Sequence, residues 1–151
     1  MEATVNRQRL YVPAVAGLYE ALSPLSFTLI RVALGLILIP HGYEKLFLHT
    51  AVGTARHFVH WGWAYPVAWG YFIGVLEFFG GILLALGLWT RPVALAFTIE
   101  MAVICFAILW PHWGWTHHGM EYALLMGVVS LAIFLRGGGR YSVDAMIAKE
   151  F

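Results

Sequence analysis

The sequence predicts an all-α integral membrane protein: a four-helix bundle with a short N-terminal interfacial helix and an amphipathic C-terminal tail. Hydrophobic residues make up 61% of its 151 residues and charged residues only 11%, whereas about one-quarter of the residues in soluble domains are charged. The chain also has seven Trp, seven Tyr and ten Phe, and membrane proteins place such aromatic residues at the lipid interface. Four stretches reach the roughly 20 apolar residues that cross a bilayer.

The predicted elements follow one another without a linker that would divide the chain, so residues 1–151 are expected to form a single domain. The predicted spans are about residues 25–47, 67–89, 92–110 and 119–135. Ser23 and Pro24 suit the start of the first span, and the interfacial helix is expected before it, at about residues 13–22. The last span ends at a glycine triplet, Gly137–Gly139, which disfavours further helix, and the amphipathic tail follows.

Most Lys and Arg residues outside the spans fall on one side of the predicted bundle. They are Arg7, Arg9, Arg91, Arg136, Arg140 and Lys149. Because the cytoplasmic loops of membrane proteins carry an excess of positive charge, both termini are expected in the cytoplasm. The net charge is only +1 and the sequence has no basic patch, which argues against nucleic acid as a partner. The expected environment is the lipid bilayer, and a homo-oligomer stays open because a bundle this small encloses little volume.

Three ionisable residues are predicted at membrane depth: Arg31, Glu77 and Glu100. Such residues are costly in hydrocarbon and usually serve a function or pair with one another. Their distances from the cytoplasmic helix ends, roughly 10 to 16 Å, place them in one buried polar layer. Gly35 shares a helical face with Arg31, and Gly74 shares one with Glu77, so both side chains are expected to point into the bundle. The layer either pins the helices, handles a ligand or protons, or faces a lumen or a partner subunit.

A second polar group is predicted at the outer end of the helices. Lys45 and Glu121 can meet there as an ion pair, with His41 and Tyr122 close by. This set is the candidate ligand pocket. A quinone suits it, because a flat apolar head needs a slot that opens to lipid and one or two hydrogen-bond donors. Simple ion pairing at the interface is the alternative, and no catalytic residue is identified.

All seven histidines are expected on the outer side, among the tryptophans of the two outer loops. Imidazole is a common metal ligand, so a copper or zinc site would draw on His57, His60, His117 and His118. Their spacing matches no established ligand motif, and contacts with lipid headgroups or a partner are the alternative, so no metal site is assigned. Cys105 is the only cysteine, which excludes an internal disulfide and a CxxC redox pair.

Three stretches of the sequence resemble the DoxX family of four-helix membrane proteins. The first is RVALGLILIPHGYEKLF at residues 31–47, which contains an HGxxK element at residues 41–45. The second is EFFGGILLALGLWTRP at residues 77–92. The third combines Gly, Glu and Tyr at residues 119–122 with the closing GGGRYSVD at residues 137–144. The resemblance implies four transmembrane helices in the cytoplasmic (inner) membrane of a bacterium or archaeon.

The resemblance also carries expectations about function. DoxX-like proteins are linked to the small subunit of thiosulfate:quinone oxidoreductase, to membrane complexes that handle thiol and oxidative stress, and to accessory roles in metal-related systems. The resemblance therefore implies a redox-associated protein that offers a quinone or quinol pocket and works with a partner oxidoreductase.

A self-sufficient enzyme is not expected from the sequence. It has no phosphate-binding glycine loop, no CxxCH haem attachment, no HExxH and no GxSxG nucleophile motif. Two other functions remain open: a non-catalytic scaffold or assembly subunit, in which the polar layer is purely structural, and a small proton-coupled transporter, in which Glu77 or Glu100 would titrate during transport.

Overall fold

The computed structural model describes residues 6–114, 117 and 119–149, and every regular element in this part of the chain is helical. After two short 3₁₀ turns, the α-helices are α1 (Ala16–Tyr43), α2 (Thr50–His60), α3 (Pro66–Val75), α4 (Gly81–Leu86), α5 (Thr90–Val103), α6 (Glu121–Arg136) and α7 (Val143–Met146). Three wide π turns extend them. Glu44–Leu48 continues α1, Leu76–Gly80 joins α3 to α4, and Ile104–Leu109 continues α5.

Three helical segments of the described chain are long and apolar enough to cross a membrane. They are Pro13–Leu48, Pro66–Leu86 and Thr90–Leu109. The fourth, α6, has 16 residues, which at about 1.5 Å per residue is shorter than the usual bilayer core. It packs along α5 over its length and completes the bundle. The prediction of an all-α membrane bundle is therefore confirmed.

The first span begins earlier than the sequence predicts. The 3₁₀ turn Pro13–Val15 leads directly into α1, which continues through Pro24 without a break, so the interfacial helix expected at about residues 13–22 is not separate from the first span. Pro24 has no N–H group for the carbonyl of Glu20, one turn earlier, and two hydroxyl groups bond to other carbonyls of this stretch. Ser26 Oγ donates to Ser23 O at 2.7 Å, and Thr28 Oγ1 donates to Pro24 O at 3.2 Å.

Glycines bring the first two spans into close contact. The helix α1 packs along α4, where a Cβ atom on Gly35 would lie 2.7 Å from the backbone nitrogen of Ala85. A Cβ atom on Gly81 would likewise lie 2.9 Å from the Gly35 carbonyl oxygen. Small residues of this kind are typical of helix interfaces in lipid, where association depends on close packing.

The two ends of the bundle differ in their residues. At one end the α4–α5 turn, the end of α6 and α7 meet: Asp144 N donates to Gly87 O at 2.9 Å, and Arg91 Nη1 donates to Phe134 O at 3.1 Å. The Arg136 guanidinium lies 4.3 Å from the centre of the Phe27 ring. We call this the arginine end. The opposite end carries α2 and the α5–α6 loop, and we call it the histidine end.

Candidate functional site

A cavity of about 380 Å³ lies beside α2, between α3 and α5. Its walls are almost entirely apolar. Aromatic side chains come from α2, from the loop after it and from α3, namely Phe58, Trp61, Trp63, Trp69 and Phe72. Aliphatic side chains come mainly from α5 and the π turn after it, namely Ile99, Val103, Ile104 and Ile108. The polar residues of the lining are Lys45, Thr54, His57, Glu77 and Glu100.

A partly buried ion pair forms part of the cavity lining. Lys45 Nζ donates to Glu77 Oε2 at 2.5 Å, and the two side chains are 26% and 5% exposed. Two glycines let their helices approach: a Cβ atom on Gly42 would lie 2.7 Å from the Phe78 Cα, and one on Gly74 would lie 2.8 Å from a Leu46 methyl group. The HGxxK element thus supplies both the close approach and the ammonium group.

Two polar residues of this site lie in π turns. Lys45 lies in the π turn after α1, and Glu77 lies in the π turn between α3 and α4. The third π turn, which follows α5, contributes Ile104 to the cavity wall. A π turn inserts an extra residue into a helix and changes the direction of the side chains around it, and such turns occur frequently at functional sites. All three spans that border the cavity carry one.

Glu100 is the least satisfied polar residue of the cavity lining. Its side chain is buried, at 6% exposure. Neither of its carboxyl oxygens has a hydrogen-bond partner within the described residues. Glu77 and Lys45 are its charged neighbours, so two carboxyl groups share one ammonium group. In a low-dielectric site such a surplus carboxyl group favours a proton, a cation or a hydrogen-bond donor beside it.

The structure divides the predicted polar layer, because Arg31 does not face Glu77 or Glu100. Its Nη1 donates to Leu84 O at 2.5 Å and to Ala85 O at 2.7 Å, and its Nη2 donates to Tyr141 O at 2.8 Å. The expectation of one Arg facing two Glu is therefore wrong. The long side chain reaches toward the arginine end, where the last carbonyls of α4 carry the negative end of the helix dipole.

Asp144 is the counter-charge that the sequence analysis missed. It interacts electrostatically with Arg31, and it accepts hydrogen bonds from the backbone N–H groups of Trp89 at 2.8 Å and Thr90 at 2.9 Å. A carboxylate at this position caps the start of α5. The tail can approach the α4–α5 turn because Gly87 has no side chain: a Cβ atom there would lie 2.5 Å from Ser142 Cβ. The available signal was an acidic residue at the end of the GGGRYSVD motif.

The residues of the predicted outer pocket do not all line this cavity. Lys45 lines the cavity, whereas His41, Glu121 and Tyr122 do not. His41 is exposed on α1, and Tyr122, in the first turn of α6, is 45% exposed. The ion-pair partner of Lys45 in this site is Glu77. The cavity beside α2 is therefore the candidate ligand pocket that includes Lys45.

The histidines do not gather around one point in the described residues. Within residues 6–114, 117 and 119–149, no group of three His, Cys, Asp or Glu side chains is placed to hold a metal ion. His57 lines the cavity and His60 follows it on the exposed side of α2. His117 lies in the α5–α6 loop, and His118 lies outside the described residues.

Comparison with known proteins assigns the chain to a family. A sequence model of the DoxX family matches residues 26–113, which is more than half of the chain. The chain belongs to the DoxX family. Among curated proteins, this DoxX chain is similar to the uncharacterized membrane protein Rv3486 of Mycobacterium tuberculosis, with 29% identity over 91% of each chain. No solved structure matches it.

The DoxX motifs fall on the two clusters described above. The HGxxK element brings Lys45 to the cavity, and the motif that follows begins with its partner Glu77. The second motif ends in the α4–α5 turn, and the closing motif supplies Asp144, which caps that turn. The motifs therefore form one polar site beside the cavity and one hydrogen-bonded contact between Asp144 and the α4–α5 turn at the arginine end.

Proposed function

We propose that this DoxX protein binds a quinone or quinol in the cavity beside α2 and works with a partner oxidoreductase. The observation that carries the proposal is an aromatic-walled cavity with Lys45, Glu77 and Glu100 in its lining. A dry cavity of about 150 Å³ can hold a benzene ring, so about 380 Å³ suits a substituted ring head with part of its tail. Ligand sites commonly combine apolar walls with a few polar groups that fix orientation.

The polar groups of the cavity match the chemistry of a quinone head. Lys45 offers N–H donors that its single bond to Glu77 does not use. His57 and Thr54 lie in the same lining and can both donate and accept. The tryptophan rings provide flat surfaces against which a quinone ring can stack. The proposed pocket replaces the one expected around His41, Glu121 and Tyr122.

The cysteine content of the sequence supports the proposal of a partner. Quinone reduction or quinol oxidation moves two electrons, and Cys105 is the only thiol of the chain, so one chain cannot form a dithiol–disulfide couple. We place the electron donor or acceptor on a partner subunit. We also place the arginine end in the cytoplasm, because its Arg91, Arg136 and Arg140 follow the positive-inside rule. Both termini are then cytoplasmic, in the inner membrane of a bacterium or archaeon, and the cavity opens nearer the outer leaflet.

Binding of a short-chain quinone to the purified protein tests this proposal. Tryptophan fluorescence should fall as the ligand fills the cavity, because Trp61, Trp63 and Trp69 line it. The variant Ala96→Phe adds a phenyl ring to the cavity lining and should weaken binding about ten-fold or more. Ala107→Phe is the matched control, because Ala107 is exposed on the same span. Equal affinity of the two variants, or no binding by the native protein, would contradict the proposal.

A second function is favoured by the charges of the cavity. Two carboxyl groups, Glu77 and Glu100, share the single ammonium of Lys45 among aromatic rings. Aromatic faces and a carboxylate together hold hydrophobic organic cations, and exchange of such a cation for a proton would make the protein a small proton-coupled transporter. Uptake of tetraphenylphosphonium into proteoliposomes along a pH gradient, above the passive uptake of protein-free liposomes, supports this function. Absence of uptake at every pH excludes it and leaves the quinone proposal standing.

A further inference from the structure

A second, smaller cavity is an open groove between α5 and α6. It has a volume of about 110 Å³, and its wall on the α6 side includes Leu124, Val128 and Leu131. No residue of the groove also lines the cavity beside α2, because the two sites use different faces of α5 and of the π turn after it. The groove is therefore separate from the proposed quinone site.

The two polar side chains of the groove are already bonded to the backbone. Thr98 Oγ1 donates to Ala94 O at 2.8 Å, and Cys105 Sγ donates to Met120 O at 3.7 Å. Each of these groups has a single hydrogen to donate. The side chains of the groove therefore present an apolar surface without a spare donor, which suits a hydrocarbon chain and not the oxygen-bearing head of a quinone.

Arg91 lies in line with the groove at the arginine end. It precedes Thr98 by seven residues and Ala102 by eleven on α5, which is close to two and three helical turns, so the three residues share one face. Arg91 Nη1 donates to Phe134 O at 3.1 Å and to Leu135 O at 3.2 Å. These bonds hold the guanidinium between α5 and the end of α6. A guanidinium binds phosphate through paired N–H donors.

The depth of the groove matches one leaflet of a bilayer. At about 1.5 Å per residue, Thr98 and Phe106 lie roughly 10 Å and 22 Å along the helix from Arg91. One leaflet contributes about 15 Å of hydrocarbon, and the headgroups lie outside it. An acyl chain that descends from a phosphate at Arg91 therefore passes through the groove.

We propose that the groove binds an anionic phospholipid, with one acyl chain between α5 and α6 and the headgroup phosphate at Arg91. Arg136 and Arg140 are exposed at the same end of the bundle. Clustered arginines beside a membrane span attract anionic headgroups more strongly than zwitterionic ones. The apolar groove and the charge at its end thus select the two parts of the same ligand.

Native mass spectrometry of the full-length protein in detergent tests this site. The delipidated protein is titrated with dioleoyl phosphatidylglycerol, which is anionic, and with dioleoyl phosphatidylcholine, which has the same chains but no net charge. One phosphatidylglycerol molecule should bind about ten-fold or more tightly than phosphatidylcholine, the effect of charge-assisted hydrogen bonds to its phosphate. Glycerol phosphate, which has no acyl chain, should not displace it.

Two pairs of variants assign the binding to the groove. Ala102→Phe places a ring in the groove and should weaken phosphatidylglycerol binding about ten-fold, whereas Ala107→Phe, at an exposed position of the same span, should not. Arg91→Gln should bring the two lipid affinities within about three-fold of each other. Arg56→Gln changes an exposed arginine of α2 and should keep the native preference. The Ala102→Phe comparison decides the question even if Arg91→Gln does not fold.

Three outcomes would overturn the proposal. The first is equal affinity for the two lipids, or phosphatidylglycerol binding that Ala102→Phe leaves unchanged. The second is displacement by glycerol phosphate, which would show a headgroup site without an acyl chain. The third is a dimer that Ala102→Phe dissociates while lipid affinity stays the same, which would assign the groove to a second copy of the chain. None of these results bears on quinone binding, because Arg91 and Ala102 do not line the cavity beside α2.

Discussion

Replacement of Asp144 by alanine should destabilise the bundle far more than removal of an exposed carboxyl group. The substitution removes two charge-assisted hydrogen bonds, to Trp89 N and Thr90 N, and each such bond contributes about 1.5–3 kcal/mol. It also removes the carboxylate that interacts electrostatically with Arg31, which is 1% exposed. These effects overlap, so the expected loss in the free energy of unfolding is about 3–5 kcal/mol.

Unfolding in mixed micelles, followed by far-ultraviolet circular dichroism as the fraction of sodium dodecyl sulfate rises, measures this loss. Glu20→Ala is the matched control: Glu20 pairs with Arg7 at 3.5 Å, with side chains 44% and 66% exposed, and such surface pairs contribute about 0–1 kcal/mol. Asp144→Asn keeps one carbonyl oxygen as an acceptor and should fall between the two. Equal stability of Asp144→Ala and Glu20→Ala would refute the stabilising role of Asp144 at the arginine end.

Two further perturbations test the packing around the cavity. Lys45→Met leaves Glu77 and Glu100 without a cation and should lower the free energy of unfolding by about 3–5 kcal/mol. Adding Glu77→Leu should restore part of the loss. A double-mutant cycle in the same assay that shows no coupling between the two residues would contradict the Lys45–Glu77 ion pair. Gly42→Ala places a Cβ atom against the Phe78 backbone and should prevent recovery of folded protein. Gly17→Ala is the control, because a Cβ atom on Gly17 would have no heavy atom within 4 Å, and it should leave the yield unchanged. Similar yields of both variants would contradict the close approach of the helices.

The architecture of the bundle could be predicted because bilayer length and hydropathy are local properties of the sequence. The small-residue stripes likewise indicate which helical faces turn inward: Arg31 and Glu77 are both buried, at 1% and 4% exposure. The start of α1 is the exception, because Pro24 suits a first turn by its chemistry but lies inside α1 in the structure.

The partners of the polar residues could not be predicted from helical periodicity. A period of 3.6 residues gives the face of a side chain but not the direction in which a long side chain such as Arg31 reaches along the helix axis. The π turns at Lys45 and Glu77 also interrupt that period. Asp144 reaches the α4–α5 turn through contacts between residues about 55 positions apart, which no local pattern reveals. The cavity itself depends on where α2 packs.

Photoaffinity labelling tests the central claim, that the ring ligand binds in the cavity beside α2, most directly. A short-chain azidoquinone is photolysed with the purified protein, and the labelled residues are mapped by peptide mass spectrometry, with excess unmodified quinone as competitor. We expect competed labels on cavity residues such as His57, Trp61 and Ile104. Competed labels on His41 or Tyr122 instead, or labels that the competitor does not reduce, would contradict the assignment of the cavity as the ligand site.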